Sequence, residues 1–328
     1  MSYPAPLLSF SETKLLLHGL WAAKPTFTEK DYPTFDGKVV IITGGNTGVG
    51  YETAKSLAGS TNAKVYIFSR NEEKTFAAIN RLQAEVEKEY GKSEADVHFI
   101  QADLSDLSTI KPAVEKFLSL EDRLDIIIHN AGVMLSILGQ TTAQNHELHW
   151  GTNALGPHLL QKLLDPILIK TSKTNKKGES RIVWVSSSAQ FWAPKGGVNW
   201  DDIDNKDCTN SQYIYGQSKA MTIMQSITWP KKHPEATNVI SSSLCPGLLK
   251  SELQRDSSFA VKLMSHFFSH QRYGAYTELY AAFSSEITNG AHSVAFGVPG
   301  MIREDIKTDT ANHERVWDLL EQHVQDFI

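Results

Sequence analysis

The chain has 328 residues, 41% of them hydrophobic and 21% charged, with a formal net charge of −5 and a pI near 6.2. That composition is ordinary for a soluble globular enzyme with a sizeable core, and mild acidity without a Lys/Arg run excludes a nucleic-acid-binding stripe. Two cysteines, Cys208 and Cys245, with no CxxC pair or Cys/His cluster, argue against a disulfide framework or a metal site and point to a reducing compartment.

No apolar run reaches the ~18 residues that span a bilayer, and the N-terminus lacks the basic start and cleavage site of a signal peptide. The stretch LLSFSETKLLLHGLW (7–21) reads as a short helix. Ser9 and Glu12 stand in capping-box spacing, and Leu15, Leu16, Leu17, Leu20 and Trp21 form an apolar face. Its low positive charge favours packing on this domain or a second subunit over a membrane interface. A cytoplasmic location follows, with peripheral contact to a membrane or lipid droplet as the alternative use of that face.

After this extension and linker (1–36), short β-branched runs alternate with amphipathic stretches. The runs are KVVIIT (38–43), AKVYIFS (63–69), DVHFIQA (96–102), LDIIIHN (124–130), RIVWVSS (181–187), NVISSSLC (238–245) and a weaker AHSVAFG (291–297). Helical patterns such as EEKTFAAINRLQAEVEKEY (72–90) and DLSTIKPAVEKFLSL (106–120) lie between them. Near-continuous apolar strands separated by helices predict an α/β fold, a doubly wound parallel sheet of seven strands forming one domain over 37–328.

The first strand runs into TGGNTGVG (43–50) and then into a helical segment. Glycines at 44, 48 and 50 permit a tight turn, so that the backbone of Gly44, Asn46, Thr47, Gly48, Val49 and Gly50 approaches a pyrophosphate at a helix N-terminus. The spacing T-G-x-x-x-G-x-G resembles the short-chain dehydrogenase/reductase family. The resemblance continues in Asn130, Ala131 and Gly132 after the fourth strand, Asn153 in GTNALGPHLL, VSSS after the fifth, YGQSK, and Pro246 and Gly247 after the sixth. It spans about residues 37 to 300, and NHELHWGTNALGPHLL with NWDDI looks most like the retinol-dehydrogenase-like and fungal light-induced reductase branch. Two departures stand out: His129 replaces a frequent Asn, and Ser251 a frequent Thr after the PG turn.

The resemblance implies a Rossmann-type fold and a dinucleotide cofactor. About 20 residues beyond the glycines, where NAD-binding units carry a carboxylate, stands Arg70, and Glu72 already belongs to the next helix. A guanidinium pairs with a 2′-phosphate and stacks on adenine, with Ser69 as an added donor, so NADP is the expected cofactor. By resemblance Asp103 and Leu104 contact the adenine, although Asp103 also suits a helix cap. The same pattern gives Leu248 and Ser251, with the PG turn, to the nicotinamide.

YIYGQSK (213–219) holds two tyrosines. A phenol has an unperturbed pKa of about 10, and a cation one helical turn along favours its ionised form. Tyr215 meets that spacing with Lys219, whereas the residue four beyond Tyr213 is the uncharged Gln217. Tyr215 is therefore the expected acid/base. VSSS offers Ser186, Ser187 and Ser188 at a strand's carboxyl end, and the family pattern makes Ser187 the catalytic one. It likewise makes Asn153 the residue that steadies a water joining Lys219 to solvent, a satisfied core amide being the other reading.

The expected activity is NADP-dependent carbonyl reduction or alcohol oxidation on a small, apolar molecule. A non-catalytic dinucleotide sensor and a nucleotide-sugar epimerase are the alternatives. The first tends to lose the Tyr/Lys pair, and the second usually has different glycine spacing. HELHW (146–150) falls short of a zinc helix, its histidines standing three apart instead of four. Trp192, Trp200, Tyr213 and Met221 are candidates for a substrate mouth or for packing. Segments at about 189–212 and 248–272 are expected substrate loops, SSFAVKLMSHFFSHQ (257–271) being the candidate lid. A homo-oligomer is expected.

Overall fold

Consecutive residues of β1 (Val39–Thr43) belong to different cores. Val39 and Ile41 join a cluster with Trp150, Leu159 and Trp229, whereas Val40 and Ile42 join one with Leu57, Leu82 and Leu279. β4 (Ile126–His129) repeats the alternation, Ile127 going to the first cluster and Ile126 and Ile128 to the second. Strands apolar on both faces need helices on both faces. In the computed structural model, which describes residues 6–10, 12–14, 22–134, 138–249 and 268–328, they have them.

The remaining strands are β2 (Lys64–Ser69), β3 (Val97–Gln101), β5 (Ser180–Val185), β6 (Val239–Leu244), β7 (His292–Val294) and β8 (Val298–Pro299). Their order is β3-β2-β1-β4-β5-β6-β7-β8, with β7 and β8 antiparallel and every other pair parallel. Seven strands were expected and eight are present. The run 291–297 breaks at Gly297, whose φ of +81° turns the chain back on itself as a two-strand hairpin.

On the second core's side lie α1 (Gly48–Ser60), α2 (Glu72–Tyr90) and α6 (Gln271–Phe283). On the other lie α3 (Ile110–Leu118), α4 (Gly156–Ser172), α5 (Ser211–Lys232) and, beyond the short α7 (Glu304–Thr308), α8 (Thr310–Val324). The expected capping box at the N-terminus forms, with the Ser9 amide donating to Glu12 (2.7 Å) and the Glu12 amide to the Ser9 hydroxyl (3.3 Å). Residues 15–21, which carry its apolar face, lie outside the described residues, as does most of the candidate lid. Glu29 in the linker pairs with Arg272 at the head of α6 (2.7 Å). Among the described residues no helix is long and apolar enough to cross a membrane.

Asp125, fully buried just before β4, ties that strand to β1 and to the loops on either side. Its carboxylate accepts from the Val39 amide (2.9 Å), from both ends of the Arg123 guanidinium (2.7 and 2.9 Å) and from Asn175 (2.7 Å). Burial pushes its pKa up, but Arg123 and these donors outweigh it and hold the carboxyl below the usual range. A depressed folded-state pKa gives stability that is present above the unfolded value and lost as pH falls through the folded one. Asp125→Ala should cost roughly 3–5 kcal/mol in urea unfolding at pH 7, and the deficit should shrink below about pH 4.

Candidate active site

Strand order reverses between β1 and β4, and a crevice opens there at the carboxyl ends of the strands. The glycine loop leaves β1 on one side of it and the Asn130–Gly132 turn leaves β4 on the other. They are built against each other. The Asn130 amide donates to the Thr43 carbonyl (2.8 Å), and the Ala131 amide to the Thr43 hydroxyl (2.9 Å). Gly44, at φ +68°, has no room for a side chain because a Cβ would sit 3.1 Å from the Ala131 Cα. Asn130 thus braces the loop through its side chain.

The head of α1 fits a pyrophosphate. Its N-cap, Thr47, makes no side-chain cap, no acidic residue stands in the first turn, and Gly48, at φ +63°, has open space where a Cβ would be. Backbone amides and the helix dipole therefore face the crevice uncompensated by a side chain. Arg70 is exposed at the end of β2, one residue before Asn71 caps α2, and Glu72 lies in that helix as expected. Ser69 is buried, with its hydroxyl 2.5 Å from that of Thr75. Asp103 does not cap α3 or the 3-10 turn before it; Asp106 caps that turn by accepting from the Ser108 amide. One Asp103 oxygen accepts from the Ser105 amide and hydroxyl (2.9 and 2.6 Å). Leu104 is buried beside it.

Across the crevice, α5 begins where Asn210 caps the Gln212 and Tyr213 amides. It brings Tyr215 and Lys219, both buried, onto one face, with the Lys219 ammonium 5.7 Å from the Tyr215 ring centre. The Ser187 side chain stands close enough to the Tyr215 phenol to pull its pKa down against burial. The three serines separate cleanly. Ser186 donates to the Lys219 carbonyl (2.9 Å), the Ser188 amide donates to the Cys245 sulfur (3.1 Å), and Ser187 is the serine that influences the phenol. Tyr213 packs with Cys208, Ile214 and Leu138, and the Gln217 amide group holds Asn199 and Ile203.

Lys219 donates to the Val185 carbonyl (2.8 Å), which leaves two of its three protons for other partners. Burial pushes its pKa down to about 8 and pushes the Tyr215 phenol up, with Ser187 opposing the latter in part. Desolvation is the largest influence on the phenol in this arrangement.

Asn153 sits in a π-helical turn (Gly151–Leu155) before α4. Its side chain accepts from the Val133 amide (2.8 Å) and donates to the Val133 carbonyl and the Ser218 hydroxyl (3.0 Å each). The side chain is a satisfied core amide that stands beside the lysine: a Cβ on Gly132 would lie 3.1 Å from Asn153 Oδ1 and 3.3 Å from Lys219 Nζ. Ser218, absent from the motif residues singled out above, donates its hydroxyl to the Tyr215 carbonyl (2.8 Å) and so links Asn153 to the tyrosine's turn.

The PG turn follows β6, with Gly247 at φ +98° against Ala295 and Phe296. Val49 of the glycine loop packs with Leu249, so the turn and the loop share a wall. Leu248 is half-buried, and its carbonyl accepts from the Ser269 amide (3.1 Å); Ser251 lies outside the described residues. His149 Nδ1 is bonded to Glu147 (2.6 Å), while His146 packs on Trp150 and His323. Of the mouth candidates Met221 is core, Trp200 donates to Asn312, and Trp192 is 36% exposed. His129 is buried, stacked on Trp184 and bonded to Gln161 (3.0 Å). A cleft of about 730 Å³ between α4, α5 and α8 contains none of the predicted site residues. Its Asp165 is bonded to Gln161, Trp229 and His233, and its Glu321 to His158 and Lys162.

A family model described as short chain dehydrogenase matches residues 38–200. The short-chain dehydrogenase/reductase pkfC of Emericella nidulans is 36% identical over 310 residues, covering 93% of this chain and 98% of its own. A short-chain dehydrogenase/reductase of Phomopsis amygdali is 37% identical over 338 residues, covering 98% and 99%. Among solved structures, an uncharacterised protein of Mycobacterium paratuberculosis superposes with a TM-score of 0.68 at 25% identity, covering 90% of this chain and 96% of that one. The Pseudomonas aeruginosa RhlG/NADP active-site complex is similar in fold, with a TM-score of 0.61 at 22% identity over 80% and 96% of the two chains.

The buried ammonium has a stability signature. At pH 7 Lys219 is protonated in both the folded and unfolded states, and the folded state bears the burial cost. As pH rises from about 8 towards the ordinary 10.5, the folded state loses the proton first and the cost disappears. Lys219→Met should therefore be more stable than wild type by roughly 1–3 kcal/mol at pH 7. Paired denaturation curves across pH should show the difference vanishing near pH 10.

Proposed function

Since this chain belongs to the short-chain dehydrogenase/reductase family, and is thereby an NAD(P)-dependent oxidoreductase, we propose that it uses NADP to interconvert an apolar aldehyde or ketone and its alcohol, with Tyr215 as proton donor and acceptor. The observation that carries this reading is the buried Tyr215 on one helix face with the buried Lys219, whose ammonium lies 5.7 Å from its ring, beside Ser187 at the end of β5. Residues 37–328 form the catalytic domain on this reading, and 1–36 an extension of it.

A nicotinamide held here would supply or take up the hydride. The amides from Gly44 to Gly50 hold the pyrophosphate, Arg70 pairs with the 2′-phosphate, and Asp103 meets the adenine. The remaining Lys219 protons hold the ribose hydroxyls, and the turn at Pro246, Gly247 and Leu248 faces the nicotinamide. Ser187 and Tyr215 are neighbours and converge on the substrate oxygen. A phenol raised by burial is neutral near pH 7, so it has a proton to give as the oxygen becomes an alkoxide. In the reverse direction the phenolate must form first, and the nearby ammonium favours it. Asn153 and Ser218 hold the turn between Tyr215 and Lys219 in place for either direction.

Tyr215→Phe should lower kcat for carbonyl reduction roughly 10²–10⁴-fold while NADPH binding, followed by fluorescence titration, changes by less than about threefold. Ordinary turnover in that variant would remove Tyr215 from its role. Arg70→Ala should weaken NADPH binding by about 10–100-fold and leave NADH binding nearly unchanged. Equal losses for the two cofactors would refute the 2′-phosphate assignment.

A further inference from the structure

The turn that follows Ser187 is fastened by a residue far away in the chain. Ser188–Trp192 forms a 3-10 turn with Ser187 as its N-cap, so the backbone placing the serine hydroxyl is the start of this turn. Arg303, 110 residues beyond Ala193, is only 2% exposed and sends its guanidinium into the turn's carbonyls. It donates to Gln190 (3.2 Å), Phe191 (3.3 Å), Ala193 (2.7 Å) and Pro194. Its own amide donates to the Gln190 side chain (3.0 Å), which in turn donates to the Met301 carbonyl (3.2 Å). Asp305 grips the guanidinium at 2.6 and 3.0 Å and accepts from the Gly196 amide (2.7 Å).

The opposite side of the turn rests on α5. A Cβ at Gly216, beside Tyr215, would come within 2.5 Å of the Ala189 carbonyl and 2.8 Å of the Ala193 amide. The turn is therefore clamped between the tyrosine's own helix and one buried guanidinium. Four converging carbonyls need several donors in a fixed fan, which a guanidinium has and an ammonium lacks. Trp192, between the bound carbonyls of Phe191 and Ala193, is 36% exposed.

We propose that Arg303 is a positioning residue for the carbonyl substrate: by fixing 188–194 it sets the Ser187 hydroxyl against Tyr215 and holds Trp192 as a wall that selects substrates by bulk. The proposal rests on the oxidoreductase reading above. It places part of the substrate selectivity in the C-terminal segment after β8.

The test compares Arg303→Lys, Arg303→Met and Trp192→Ala with wild type on a short aliphatic aldehyde and a bulky aromatic ketone. NADPH titration and hydrogen–deuterium exchange accompany the kinetics. Arg303→Lys should lower kcat/KM for the ketone roughly 10–100-fold, with a smaller loss for the aldehyde and NADPH affinity within about twofold of wild type. Exchange should rise at 188–197 and not across the sheet. Trp192→Ala should change the ratio of the two substrates without raising exchange in the turn, and it carries the comparison with Arg303→Lys if Arg303→Met does not fold. A wild type that binds NADPH but reduces neither carbonyl sinks the oxidoreductase reading and this proposal with it. An active wild type whose Arg303→Lys variant keeps the substrate ratio, with exchange raised uniformly or not at all, sinks the Arg303 assignment alone.

Discussion

A buried ammonium without a carboxylate partner governs the carboxyl edge of the sheet. Among the described residues Lys219 forms no ion pair, and its one protein hydrogen bond there is to a neutral carbonyl, Val185. An ammonium so placed carries a desolvation cost of several kcal/mol before compensation, and its neighbours are those that keep it confined. Ser186 fixes its backbone carbonyl, Asn153 stands at its side, and Gly132 leaves the space that any side chain would take from it. The stability for this comes from elsewhere, from two apolar cores on either face of the sheet and a buried carboxylate at the far end of β4. The sheet is thus stable at its amino edge and strained in electrostatic terms at its carboxyl edge, where function is expected to reside.

Much of this was legible in the sequence, and for identifiable reasons. Strands such as IIIH and VVIIT announce two-sided burial because they lack polar alternation. Tyr215 was separable from Tyr213 because helical spacing is local, and Gln217 in place of a cation is visible at a glance. Ser187 was not separable from its neighbours by spacing; that choice needed the family pattern, and the geometry parts them only through contacts with α5 and β6. The eighth strand escaped because two residues of strand after a glycine carry no periodic signal. Helical spacing places Lys219 beside the phenol but says nothing of burial, which is the largest influence on Tyr215 here.

Arg303 escaped for a deeper reason, which the glycine loop shares. Its four partners in the turn are backbone carbonyls, as are those that Lys219, Ser186, Ser218 and, at Thr43, Asn130 donate to. Every residue type offers the same carbonyl, so nothing in Gln190, Phe191, Ala193 or Pro194 marks them as acceptors. Motifs record the donor side of such bonds and leave the acceptor side blank. A donor inside a recurrent motif, such as Asn130, is therefore noticed and then credited to the cofactor, when its bonds go to the loop that receives it. A donor outside any motif, such as Arg303, is not noticed at all, although it makes more bonds than any motif residue. Backbone acceptors also explain how the site tolerates distance in sequence: a carbonyl's direction is set by its turn, so one arginine beyond the far hairpin can organise the turn whatever side chains it carries.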